Sequence, residues 1–195
     1  MIGIRVCLAL NQIEEMKKIK QFLTHQGFSV IDESTDGAAA LRNINMLHPD
    51  LVIADADLPG INGISLAKIM DEDDVAPVIV ITNSNKEGLW MNSGQSQGIT
   101  FLQRPLTKAG LMQTIQLSLM NYRKQKSLKD EIKKLKEQLE DRKLIEKAKG
   151  IIMDKLGVTE KEAYRLLQKQ SMDTGTPLRE LAKAIILTHQ LNSQV

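Results

Sequence analysis

The sequence predicts a doubly wound α/β domain with a parallel sheet, then a long coiled-coil helix and a small three-helix domain. Three observations carry this. Up to residue 120, short apolar runs alternate with segments of helical period, the pattern of strands separated by crossover helices. Between Gly110 and Gly150 there is neither glycine nor proline, so one helix can run through. The charge is divided: from Asn121 onward there are 17 Lys+Arg against 11 Asp+Glu, and before it 9 against 13, within a net charge of only +2. An acidic front and a basic back indicate two modules, the second suited to an anionic partner.

The elements follow in order. "IRVCLAL" reads as a buried strand. "QIEEMKKIKQFLTHQG" puts Ile13, Met16, Ile19 and Leu23 at helical spacing and ends at Gly27. "FSVID" is a second strand, and Ala38, Leu41, Ile44 and Leu47 mark the next helix. "DLVIAD" is a third strand, and "ISLAKIMDE" a helix after it. "APVIVIT" is the fourth strand, "KEGLWMNSGQSQ" a weak helix interrupted by Gly88 and Gly94, and "ITFLQ" the fifth strand. Thr107 opens the fifth helix. In such sheets the functional crevice lies at the carboxyl ends of the strands. Asp55, Thr82 and Arg104 all fall there and are expected to converge; a second acid, Asp57, follows Asp55 closely.

The glycine-free stretch predicts a helix of roughly 40 residues, about 60 Å long at 1.5 Å per residue. Leu128, Ile132, Leu135 and Leu139 have the 4-3-4 spacing of a coiled-coil seam, over about two heptads. A Lys- and Glu-studded helix cannot bury that seam within a small monomer, so a homodimer is expected. The alternative is a solvated helix with one face on its own domain.

Beyond it, Gly157 in "DKLG" suits a left-handed helix end, and "TEKE" from Thr159 to Glu162 is a capping box. The helix it opens carries Ala163, Leu166, Leu167 and Gln170 and stops at Gly175. Thr176-Pro177 is a cap with proline at the first helical position, and Leu178, Leu181, Ala182 and Ile185 line the last helix. Basic residues recur every four positions: Lys143 and Lys147; Lys161, Arg165 and Lys169; Arg179 and Lys183. Four helical residues rise about 6 Å, close to the phosphate separation along a strand. With Glu160, Glu162 and Glu180 nearby, the same rows also read as solvated faces laced with ion pairs.

Several classes are excluded or disfavoured. The single cysteine, Cys7, allows no disulfide framework or cysteine metal site within one chain. His25, His48 and His189 are scattered and no phosphate-cradling glycine loop occurs, so no enzyme is expected. No run approaches 18 apolar residues, so a cytoplasmic protein without membrane contact is expected.

"DLVIADADLPGINGISL", "PVIVIT" and "FLQRPLTK" together resemble the receiver domain of two-component response regulators. "IEKAKGIIMDKLGVTEKEAYRLLQKQSMDTGTPLRELAKAII" resembles the ANTAR domain, the RNA-binding module of transcription antitermination regulators. Ala148, Gly150, Met153, Ala163, Met172, Leu178 and Ala182 stand out in that match. The resemblance implies a flavodoxin-like receiver over 1–120, a coiled-coil linker over 121–142 and an ANTAR domain over 143–195.

It also implies that Asp55 is phosphoacceptor-like, that Thr82 is the switch hydroxyl, and that Arg104 replaces a phosphate-contacting lysine. The family holds Mg²⁺ with two acids after the first strand, where this chain has Leu10 and Asn11. Leu10 offers no ligand, so Mg²⁺ is not expected, no cofactor is expected, and the domain reads as a pseudo-receiver. Glu14 and Glu15 are expected to point elsewhere. Either Asp57 partly replaces the missing acids, or Asp55 is a relic or a structural partner of Arg104. Control would come from a sensor kinase or a ligand-sensing regulatory protein, or through dimerisation. The implied ligand is an RNA stem-loop in leader mRNA, contacted by Lys147, Lys149, Lys161, Arg165, Lys169, Arg179 and Lys183, with Arg179 as base reader. The alternatives are a phosphorylation-controlled DNA-binding regulator and a dimeric interaction adaptor.

Overall fold

The computed structural model describes residues 3–83 and 98–192. Two compact units divide the chain, Met1–Ser127 and Leu128–Val195.

In the first unit the apolar runs form β1 (Arg5–Ala9), β2 (Ser29–Ser34), β3 (Leu51–Asp55), β4 (Val78–Thr82) and β5 (Ile99–Gln103). Between them lie α1 (Ile13–His25), α2 (Gly37–Leu47) and α3 (Gly63–Glu72), and α4 (Lys108–Leu156) follows β5. The helix expected over "KEGLWMNSGQSQ" lies outside the described residues. The strands pair in parallel in the order β2-β1-β3-β4-β5.

Side chains alternate across a strand, and both faces of this sheet are covered. Val6, Leu8, Ile53 and Ile81 meet Met16, Ile19 and Leu23 of α1 and Leu111, Ile115 and Leu119 of α4. Cys7, Val52, Ala54 and Val80 meet Ala40 and Ile44 of α2 and Leu66 and Met70 of α3. Two-sided burial explains why β3 and β4 read as unbroken apolar runs. Asp36 caps α2 by accepting the Ala39 N–H at 2.9 Å, and Asn62 caps α3 by accepting that of Ser65 at 2.8 Å. Thr107 opens α4 as expected, its hydroxyl oxygen accepting the Gly110 N–H at 3.0 Å.

α4 is longer than the glycine-free stretch, 49 residues against an expected 40, because Gly110 and Gly150 both lie inside it. A helical glycine costs about 1 kcal/mol relative to alanine. Buried Leu111 beside the first, and Ala148 with Ile151 beside the second, outweigh that cost by packing.

In the second unit the end of α4 packs with α5 (Glu160–Thr174) and α6 (Leu178–Asn192). Ala148, Leu167, Ala182 and Ile186 form a small core, flanked by Leu144, Ile145, Ile152 and Ile185. Gly157 (φ +66°) and Gly175 (φ +64°) end α4 and α5 in the left-handed conformation that a side chain resists. The capping box is made: the Thr159 N–H donates to Glu162 Oε2 at 2.9 Å, and the Glu162 N–H to Thr159 Oγ1 at 3.4 Å. The cap of α6 differs by one residue from the expectation. The Pro177 carbonyl accepts the Glu180 and Leu181 N–H groups at 2.9 and 3.2 Å. The Thr176 carbonyl instead takes the Ser171 hydroxyl at 2.6 Å.

Candidate functional site

In the first unit, the carboxyl ends of β1, β3 and β4 meet where the strand order reverses. Asp55 ends β3 and is only 2 % exposed. Its Oδ2 accepts the backbone N–H of Asn11 at 2.9 Å. Its Oδ1 is ion-paired with Arg104 Nη2 at 2.5 Å. The Arg104 N–H donates to the Thr82 carbonyl at 3.0 Å, which brings the β5 exit beside the end of β4. Gly63 holds the far wall: a Cβ there would stand 2.0 Å from the Asp55 carbonyl oxygen. Asp55, Thr82 and Arg104 therefore converge as expected.

Glu15 is a correction. It stands in the first turn of α1 and bonds Arg104, which reaches its Oε2 through both Nε, at 3.2 Å, and Nη2. A guanidinium presents five donors in a planar fork, so one arginine can serve two carboxylates. Burial draws the Arg104 pKa down, but the hydrogen bonds to Glu15 and Asp55 outweigh it and raise it. Asp57 is exposed, and its backbone carbonyl accepts the Asn11 side-chain amide N–H at 3.4 Å.

These residues do not fit Mg²⁺, which takes near-octahedral oxygen ligands. Leu10 is fully buried in the core, Asn11 directs its amide nitrogen to a carbonyl, and a guanidinium stands on Asp55. The pKa of the Cys7 thiol is pushed up to about 12, chiefly by burial, which disfavours the nucleophilic thiolate.

In the second unit, Lys161, Arg165 and Lys169 are exposed along α5, and Lys147 is exposed on α4. None of the four makes an ion pair among the described residues. Lys183 pairs with Glu180 at 3.0 Å, and Arg179 Nη1 with Asp141 Oδ1 at 2.7 Å.

Lys149 is corrected: it is 7 % exposed and not a free surface cation. Its Nζ bonds Glu146 at 2.8 Å and Glu160 at 2.7 Å, and lies 5.8 Å from the Tyr164 ring centre. Those carboxylates raise its pKa. It lies beside Ala148 on the face of α4 that α5 covers, and helical spacing gives no hint of a partner in α5. On the open face of α4, Leu128, Ile132, Leu135 and Leu139 are each about half exposed.

The model of the response regulator receiver domain matches residues 8–116, and that of the ANTAR domain residues 133–186. The transcriptional regulatory protein PdtaR of Mycobacterium tuberculosis is 29% identical over 184 residues, 94% of this chain and 90% of that protein. The chemotaxis protein CheY of Treponema pallidum is 29% identical over 114 residues, 57% of this chain and 79% of its own length. Among solved structures, the signal receiver domain of a Luxo repressor protein from Vibrio parahaemolyticus gives a TM-score of 0.58 at 22% identity. It covers 65% of this chain and 98% of that one, a likeness of fold.

Proposed function

Because this chain belongs to the response regulators, with a receiver domain followed by an ANTAR domain, we propose that it is an RNA-binding antitermination regulator. It stabilises stem-loops in leader mRNA and is controlled through a degenerate receiver. The observation that carries this is a set of exposed cations on the ANTAR surface that form no ion pair among the described residues, Lys147 on α4 and Lys161, Arg165 and Lys169 on α5, of which Arg165 lies in the field of Glu162. Phosphate contacts supply sequence-independent affinity, and unpaired cations make them without first giving up a carboxylate. Arg179 and Lys183 can join by exchanging Asp141 and Glu180 for phosphate. The family is not an enzyme class, and among the described residues no helix is long and apolar enough to cross a membrane.

The receiver acts without Mg²⁺ or phosphoryl transfer. Its crevice is filled by the Glu15–Arg104–Asp55 triad, so a sensor kinase or a ligand-sensing protein works by docking. The half-exposed seam at Leu128, Ile132, Leu135 and Leu139 joins two chains in a parallel coiled coil, because four such side chains on one stripe gain by mutual burial.

The test compares a hairpin RNA with duplex DNA of equal length at several salt concentrations. With three or four phosphates neutralised, log K should fall against log salt with a slope of about −2 to −3 on single-stranded segments. Equal competition by duplex DNA would overturn the RNA reading.

A further inference from the structure

Between α4 and α5 of the ANTAR unit lies a recess of about 760 Å³, with Asp141, Arg142, Glu146, Glu160, Lys161 and Tyr164 in its wall. Its charges are not equivalent. Glu146 and Glu160 each give one oxygen, Oε1, to Lys149, and Asp141 is held by Arg179. Arg142 and Lys161 pair with no acid among the described residues. One lysine against two carboxylates leaves one negative charge, Asp141 and Arg179 cancel, and Arg142 with Lys161 add two positive ones, so the recess is net +1 and favours a ligand carrying negative charge.

Lys149 also fixes the one aromatic surface. A buried ammonium is tolerated only when it is paired, and this one is clamped by two carboxylates close to Tyr164. Tyr164 remains 39 % exposed. An aromatic side chain held in place beside unpaired cations is what an unstacked nucleotide needs: a platform for its base and counter-ions for its phosphates.

We propose that this recess receives one unpaired nucleotide from the loop of a bound RNA hairpin. Its base stacks on Tyr164, and its flanking phosphates meet Arg142 and Lys161. The Oε2 atoms of Glu146 and Glu160 carry no bond among the described residues, and ionised carboxylates only accept. A base that offers an exocyclic amino group meets these acceptors best. Adenine, guanine and cytosine have one, whereas uracil has only its N3–H, set between two carbonyl oxygens that the carboxylates repel. This rests on the RNA-binding reading above and narrows it to a loop position and a class of base.

The test uses the full chain and hairpins of one stem, closed by loops of adenine, cytosine or uracil alone. Adenine and cytosine loops should bind about tenfold tighter than uracil. Tyr164→Leu should remove that difference while leaving the uracil hairpin unchanged, and Tyr164→Phe should keep it. A 2-aminopurine in the adenine loop gives a readout without any variant: its fluorescence should be quenched on binding the wild-type protein. The proposal is overturned if wild type binds the three loops alike, if Tyr164→Leu weakens all of them equally, or if 2-aminopurine emission stays constant. Hairpins that still outcompete duplex DNA in those cases leave RNA binding itself standing. Hairpins that bind no better than duplex DNA remove both readings.

Discussion

Arg104→Ala strands the Asp55 carboxylate. Asp55 keeps the Asn11 N–H but loses its ion pair with Arg104, the only one it makes among the described residues, while 2 % exposed. Removing one partner of a buried pair costs about 3–5 kcal/mol, because the remaining charge is neither solvated nor compensated. The Arg104 side chain is 18% exposed, so water enters the vacated space and the loss should fall to about 2–3 kcal/mol. Asp55→Asn in the same background removes the stranded charge and should return most of it. Glu15→Gln alone should cost less than Arg104→Ala, since the new amide oxygen still accepts from the guanidinium and Arg104 stays on Asp55. Native-state hydrogen exchange of the β1 and β3 amides reads this unit separately from the rest of the chain. The reasoning fails if Arg104→Ala lies within about 0.5 kcal/mol of wild type, or if the double variant is no more stable than the single one.

Acetyl phosphate with Mg²⁺ should leave Asp55 unlabelled, and stoichiometric labelling that vanishes in Asp55→Asn would contradict the pseudo-receiver. Leu10→Asp with Asn11→Asp should bind Mg²⁺ measurably, by calorimetry, only once Arg104→Lys is added to shorten the cation over Asp55; binding by the pair alone would refute the blocking role of the guanidinium. Polar residues at Ile132 and Leu139 should shift sedimentation towards monomer, and a wild-type chain that already sediments as a monomer at roughly tens of micromolar would refute the dimer seam. Lys161→Ala should reduce the salt slope of RNA binding by a little under one unit, whereas Lys149→Met should leave the slope alone and lower the thermal stability of the ANTAR unit. Glu160 and Glu162 are held below the ordinary carboxyl value of 4.5, the first by Lys149 and the second by the Thr159 hydroxyl. Carboxyls depressed in this way stabilise the fold above that value, and the contribution is lost as pH falls through the lower folded value. Circular dichroism below about pH 4.5 should therefore show α5 weakening, less steeply in Glu162→Gln.

The sequence made the strands and their ends legible, because two-sided burial writes unbroken apolar runs and each run closes on a polar residue such as Asp55 or Thr82. It also placed the capping box, the left-handed Gly157 and the helix stop at Gly175, which are local signals. What it did not reveal depends on contacts between distant elements. Glu15 meets Arg104 across 89 positions, and Lys149 meets Glu160 across the Gly157 turn. Helical periodicity ranks both as ordinary surface charges. Whether such a residue is free or committed is decided by what the fold lays over it.

The ion triad also bears on how information can enter the receiver. A crevice that borrows its cation from solution varies with the supply of metal and phosphodonor, and that variation is the input. Here the cation is Arg104, covalently part of the chain, present once per crevice and independent of concentration. On the pseudo-receiver reading proposed above, the crevice contributes a constant, and its gain for those two inputs is zero. On that reading the signal is written elsewhere, in how much of the protein is made or in what docks on its outer surfaces.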